Sequence, residues 1–154
     1  MSVTIAVAVP TVGRPTLERT LAAIVAQGLI EVDQVYVVYD SHHGSNPSLQ
    51  ARAEAFGPHV RYLEHDHGTS DHGIFQTNEA FLASTATLTL AHSDDDMYLP
   101  GAFARLREVA GAHPHRPILF QAISPNRRLS WVPGKPKLQR GRLGGSGGLA
   151  GWSC

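Results

Sequence analysis

Three consecutive aspartates, Asp94, Asp95 and Asp96, close the apolar run Thr87 to Ala91 and precede Pro100. Like charges gathered this closely repel one another unless something positive sits among them. A divalent cation is one such partner. Hard oxygen ligands select magnesium or manganese, which need only one or two protein carboxylates when a substrate's phosphates complete the shell. A cation held there would neutralise a diphosphate leaving group as its bond to a sugar breaks. The other reading of the triplet is an acidic cap for the helix that Pro100 opens, favoured by the helix dipole. One aspartate suffices for a cap, so three after a buried strand favour the metal.

The histidines are the second chemical signal. The chain has nine, and His65-Asp66-His67 followed by Asp71-His72 has the residue types of a metal site. A His-x-His on a strand puts both rings on one face, but zinc also needs a third and fourth ligand at tetrahedral angles. Zinc binding, a polar loop, and a histidine touching diphosphate or sugar all remain open here.

The elements that must position these groups alternate. Val3 to Val9 reads as a buried strand ending at Pro10. Leu17, Leu21, Ile24 and Val25 share one helical face, with Pro15 in the first turn and Gly28 at the C-terminal cap. A second strand runs from Gln34 to Tyr39 and ends at Asp40, a short helix spans Ser48 to Phe56, and a third strand spans Val60 to Leu63. A helix from about Gly73 to Ser84 puts Ile74, Phe75, Asn78, Phe81 and Leu82 on one side. The fourth strand feeds the triplet, the helix after Pro100 carries Phe103, Leu106 and Val109, and Ile118 to Ile123 reads as a fifth strand. This alternation predicts an α/β fold with a mainly parallel sheet flanked by helices. Ligands bind beyond the carboxyl ends of such strands. Pro10-Thr11, Asp40 and Asp94 to Asp96 are therefore expected to meet in one crevice.

Bulk properties agree with a single globular unit. The 154 residues are 42% hydrophobic and 17% charged, and thirteen basic residues balance thirteen acidic ones. That balance gives no global field for nucleic acid or an anionic membrane. No run reaches the roughly 20 apolar residues of a membrane span, and a cytoplasmic location is the default expectation. The lone Cys154 excludes an internal disulfide framework. The expected division is a core over residues 1–125 and a basic, Gly-rich segment over 126–154, which is either a tail or an acceptor-side loop. Its six glycines between Gly141 and Gly151 lack the Lys-Ser/Thr of a phosphate-binding P-loop.

Four motifs in order carry a resemblance. Pro10-Thr11-Val12-Gly13-Arg14-Pro15, with Leu21 and Gln27, Val35 to Ser41, Asn78-Glu79-Ala80, and Leu90 to Pro100 resemble the successive motifs of inverting family 2 glycosyltransferases. The resemblance covers residues 3 to about 110. It implies the Rossmann-like GT-A nucleotide-diphospho-sugar transferase fold, compact or truncated, and transfer of a sugar from a nucleoside-diphosphate sugar, UDP-sugar favoured, to an unidentified acceptor. It further implies that Pro10, Thr11 and Arg14 line the nucleotide pocket, with Asn78 in the nucleotide-sugar site, and that Asp40 bonds the base. Asp94 would sit near the ribose and share in the metal site. Asp95 would be the main ligand of Mn2+ or Mg2+, and Asp96 would support the metal or a sugar hydroxyl and is the candidate catalytic residue. Val12, Gly13 and Thr77 stand where the family has an aromatic, Asn and Arg. The family's acceptor site and base lie in a second half, so added sequence or a second subunit of a homo-oligomer is expected to complete the enzyme. The alternatives are a sugar-nucleotide-binding domain without transferase activity, a nucleotidyltransferase, and a zinc hydrolase.

Overall fold

The β-branched run near the N-terminus forms β1 (Ile5–Thr11), one of the two inner strands of a four-stranded parallel sheet in the order β3-β2-β1-β4. The computed structural model describes residues 2–66, 73–114, 116 and 118, without the side chain of residue 43. Along the chain follow α1 (Leu17–Val25), β2 (Gln34–Asp40), a 3-10 turn (Ser41–His43), α2 (Pro47–Glu54), β3 (Val60–His65), α3 (Ile74–Ala83), β4 (Leu88–Ala91) and α4 (Ala102–Ala112). The expected fifth strand beyond residue 118, His67, Asp71, His72 and the segment 126–154 lie outside the described residues.

The two faces of the sheet are packed differently, and chain direction explains why. From β1 to β2 to β3 the chain steps one way across the sheet, and from β3 to β4 it returns past two strands. Right-handed crossovers then place α1 and α2 on one face and α3 on the other. The first face holds the large core: Leu17, Leu21 and Ile24 of α1, Leu49 of α2, and Phe103 and Leu106 of α4 pack on Val7, Val9, Val35, Val37 and Leu90. The second face is lined by Ala6, Ala8, Tyr36 and Val38, and α3 meets it through Ala80.

Small side chains on both sides let α3 lie close, and its first turn closest of all. A Cβ at Gly73 would stand 2.6 Å from Pro10 Cβ and 2.8 Å from its Cγ, and Gly73 has a φ of +83°. Both conditions need glycine. This contact fixes the rotation of α3. Gln76 and Ala80 face the sheet, and the apolar side of Ile74, Phe75 and Leu82 faces outward, with Leu82 88% exposed. The expected side is split: Phe81 packs against the second-face core, while Ile74, Phe75, Asn78 and Leu82 are exposed.

Two strand ends also differ from expectation. β1 continues through Pro10 to Thr11 instead of stopping at Val9. Thr4 and Ala8 offer their carbonyls to Leu88 and His92, so the polar groups of even-numbered β1 residues face β4. β4 ends at Ala91, opposite Ala8. The N–H that Pro10 lacks would therefore point past the end of β4, where the ladder needs no donor. β3 extends to His65, paired in register with Asp40, so His65 is a strand residue and not part of a loop.

Candidate functional site

Strand order reverses between β1 and β4, and parallel sheets bind ligands at the carboxyl side of such a reversal. Thr11 ends β1 and the acidic loop follows β4, so their side chains meet there. The Thr11 hydroxyl donates to Asp94 Oδ2 at 2.6 Å and accepts the Gly13 N–H at 2.9 Å. Gly13 takes a φ of +84°, turning the chain so that Arg14 points back at the loop. Its guanidinium Nη1 lies 3.2 Å from Asp94 Oδ1 and 3.5 Å from Asp95 Oδ2.

The backbone of the triplet is held from α1. The buried Thr20 hydroxyl lies 3.0 Å from the Asp94 carbonyl oxygen and 2.9 Å from that of Asp96. Arg19 Nη2 reaches the Asp95 carbonyl at 3.4 Å. Ser93 donates its hydroxyl to Asp95 Oδ1. On the core side His92 stacks on Tyr98, ring centroids 4.2 Å apart, and Tyr98 meets Phe103 edge-on at 5.0 Å. Burial holds the His92 imidazole below its usual pKa against the opposing pull of Asp96, and pushes the Tyr98 phenol up.

These restraints divide the three aspartates. The oxygens of Asp94 are engaged by Thr11 and Arg14 and those of Asp95 by Ser93 and Arg14, but the Asp94 side chain is 5% exposed whereas that of Asp95 is 49% exposed. Asp96 is also exposed. Among the described residues no group of three or more His, Cys, Asp or Glu side chains is gathered to hold a metal. Zinc with four protein ligands finds no such set there. Magnesium or manganese shared with phosphates needs only one or two carboxylates, and Asp95 and Asp96 fit that requirement.

Asp40 reaches the same sheet edge at the end of β2, one strand from Thr11. Its Oδ1 accepts the His42 N–H at 3.1 Å and so caps the 3-10 turn. On the α3 side of that edge, His65 Nδ1 lies 2.5 Å from Glu79 Oε1. On the opposite, α2 face, Glu64 accepts from the Ser45 hydroxyl, the Asn46 N–H and the Tyr62 phenol. The bond from Ser45 is the largest cause holding its carboxyl below the usual range. Pro10 takes part as the surface on which Gly73 rests. Asn78 is exposed in the middle of α3, and no hydrogen bond among the described residues connects it to the cluster.

Several of these residues escape a reading of the sequence. Thr20 has a signal, since it interrupts an apolar helix face and a polar group there requires a buried partner. Asp33 and Arg107 have none: Asp33 accepts the Ile5 N–H at 2.8 Å and the Ile30 N–H at 2.9 Å, and pairs with Arg107 of α4. They brace the opposite edge of the sheet.

No family model matches the chain, and no curated protein matches it. Among solved structures, the crystal structure of S. aureus TarS residues 1–349, a glycosyltransferase, superposes with a TM-score of 0.67 at 18% identity, covering 87% of this chain. The likeness shows the fold: a four-stranded parallel sheet flanked by helices, similar to the Rossmann-like fold of a glycosyltransferase. The chain spans 39% of the TarS chain. Among the described residues no helix is long and apolar enough to cross a membrane.

Proposed function

We propose that this chain binds a nucleoside-diphosphate sugar, UDP-sugar favoured, and serves a metal-dependent glycosyltransferase that inverts the anomeric centre. One observation carries the reading. At the point where strand order reverses, Thr11 and Arg14 hold Asp94 buried, while Asp95 and Asp96 stay exposed at the carboxyl end of the sheet. Asp95 would be the main ligand of the divalent cation, supported by Asp96 where another carboxylate takes the acceptor's proton, and the cation would neutralise charge on the departing diphosphate. Thr20 and Arg19 keep the loop backbone from shifting as ligand enters. Asp40 receives an N–H of the base, and Arg14 provides positive charge for phosphate.

In the transfer itself an acceptor hydroxyl oxygen bonds to the anomeric carbon as the bond from that carbon to the diphosphate oxygen breaks on the opposite side. The hydroxyl proton passes to a carboxylate, either Asp96 or one supplied by a second subunit or further polypeptide. A binding unit that transfers sugar only with such an addition is the second reading, favoured because the chain spans 39% of the TarS chain. Thermal melting with UDP-, GDP-, dTDP- and CDP-sugars, each with and without manganese, tests the proposal, since selective binding raises the melting temperature. A manganese-dependent rise with a nucleotide sugar is expected. No rise with any of them would refute nucleotide-sugar binding.

A further inference from the structure

The Arg14 guanidinium lies against the carboxylates of both Asp94 and Asp95. Its Nη1 lies 3.2 Å from Asp94 Oδ1 and 3.5 Å from Asp95 Oδ2, so one guanidinium contacts two of the three adjacent carboxylates and offsets part of their charge. The arrangement is asymmetric. Asp94 is buried and has a second donor in Thr11, whereas Asp95 is exposed and its contact with Arg14 is the longer one. The Arg14 side chain is itself 54% exposed, so it can swing toward a ligand without unpacking the core.

We infer that Arg14 is an internal counter-cation that couples metal binding to nucleotide binding. The inference rests on the reading of the crevice as a nucleotide-sugar site and adds a rule for the order of its occupancy. While Arg14 bridges the carboxylates, a divalent cation alone meets a site whose negative charge is already reduced and one of whose ligands is engaged, and binds less tightly than it would without Arg14. A diphosphate alone meets an arginine already engaged by carboxylates, and binds weakly. Together they exchange partners: the guanidinium turns from Asp95 to the phosphate oxygens, a pairing its planar donors favour, and Asp95 is released to the cation. Each ligand thus removes the obstacle to the other. Linkage requires the two enhancements to be equal. The device keeps the acidic loop from holding metal until the donor that needs it arrives.

Titration calorimetry on the full chain tests this with Mn2+ alone, UDP alone, and UDP at saturating Mn2+. In the wild type, Mn2+ is expected to tighten UDP binding by about fivefold or more, the usual lower range of coupling between sites. In Arg14→Gln, Mn2+ alone should bind more tightly than in the wild type, and the enhancement of UDP by Mn2+ should fall below the wild-type value, to what direct metal–phosphate coordination supplies. Arg52→Gln removes an equal charge from the exposed pair with Glu18, away from the loop, and should change neither quantity. Asp95→Asn provides a variant in which Asp94 keeps both partners. There, UDP without metal should bind at least as tightly as in the wild type without metal, and Mn2+ should add nothing. Unchanged coupling in Arg14→Gln, or the same loss in Arg52→Gln, would overturn the role of Arg14 while leaving nucleotide binding intact. Absence of any UDP–Mn2+ complex in the wild type would overturn both readings.

Discussion

The Thr11 hydroxyl donates to the Asp94 carboxylate at 2.6 Å, joining two residues 83 positions apart across the point where strand order reverses. The bond is buried and charge-assisted, and it links the end of β1 to the loop after β4 beyond the last residue pair of their ladder. Thr11→Val keeps the shape and removes the donor. A hydrogen bond to a charged group is worth about 1.5–3 kcal/mol. Chemical denaturation should show a loss of about that size, together with weaker nucleotide binding as the loop loosens. Wild-type stability and binding in this variant would mean that Asp94 is held by Arg14 alone.

Asp33 gives the contrasting case. It is 1% exposed and serves two backbone N–H groups and Arg107, all at the sheet edge remote from the crevice. Asp33→Ala leaves Arg107 unpaired near the core and should cost about 3–5 kcal/mol. Nucleotide affinity of the protein that remains folded should be unchanged. Stability and affinity falling in proportion would show that this edge communicates with the site.

Gly73→Ala probes the approach of α3 to β1. The added Cβ would overlap Pro10, whose ring belongs to strand backbone and cannot swing aside, and the left-handed φ adds strain. Destabilisation above about 1 kcal/mol is expected from the backbone conformation alone. Equal melting temperatures for variant and wild type would show that α3 has room to shift.

Acid should weaken the fold through His92. Its folded pKa lies below the ordinary value of 6.5 because of burial. The unfolded chain therefore binds the proton more readily, so the stability held above about pH 6.5 is lost as pH falls through the folded pKa. Urea midpoints measured between pH 7.5 and 5 should decline, and His92→Phe, which keeps a ring against Tyr98, should flatten the decline. An identical pH profile in the variant would assign the effect to other groups.

Asp40→Asn should weaken nucleotide binding by about 1–3 kcal/mol, the cost of disturbing a hydrogen bond to a charged group. The loss should depend on the base. Equal losses for UDP and for pyrophosphate would reassign Asp40 to a purely structural cap of the turn at Ser41–His43.

What the sequence showed and what it hid follow from the range of the interactions involved. The face of α1 through Leu17, Leu21 and Ile24 is buried as its spacing predicts, because a local period and a core in contact with it agree. Thr11, Asp40 and the triplet lie at or just beyond the carboxyl ends of parallel strands, and side-chain bonds join Thr11 and Arg14 to Asp94. The rotation of α3 was hidden: the alanines of β1 and the close fit of Gly73 on Pro10 turn its larger apolar side outward, and neither is visible within the helix. The clamp of Thr20 on the triplet spans 74 and 76 positions, and the pair Asp33–Arg107 spans 74. No local pattern encodes such distances.

The most direct measurement is UDP binding to the purified chain with and without Mn2+, in the wild type and in Asp95→Ala. The expected result is a clear increase in UDP affinity with Mn2+ in the wild type and no increase in the variant. Equal Mn2+-dependent affinity in both proteins would contradict the assignment of the acidic loop as a metal-assisted diphosphate site.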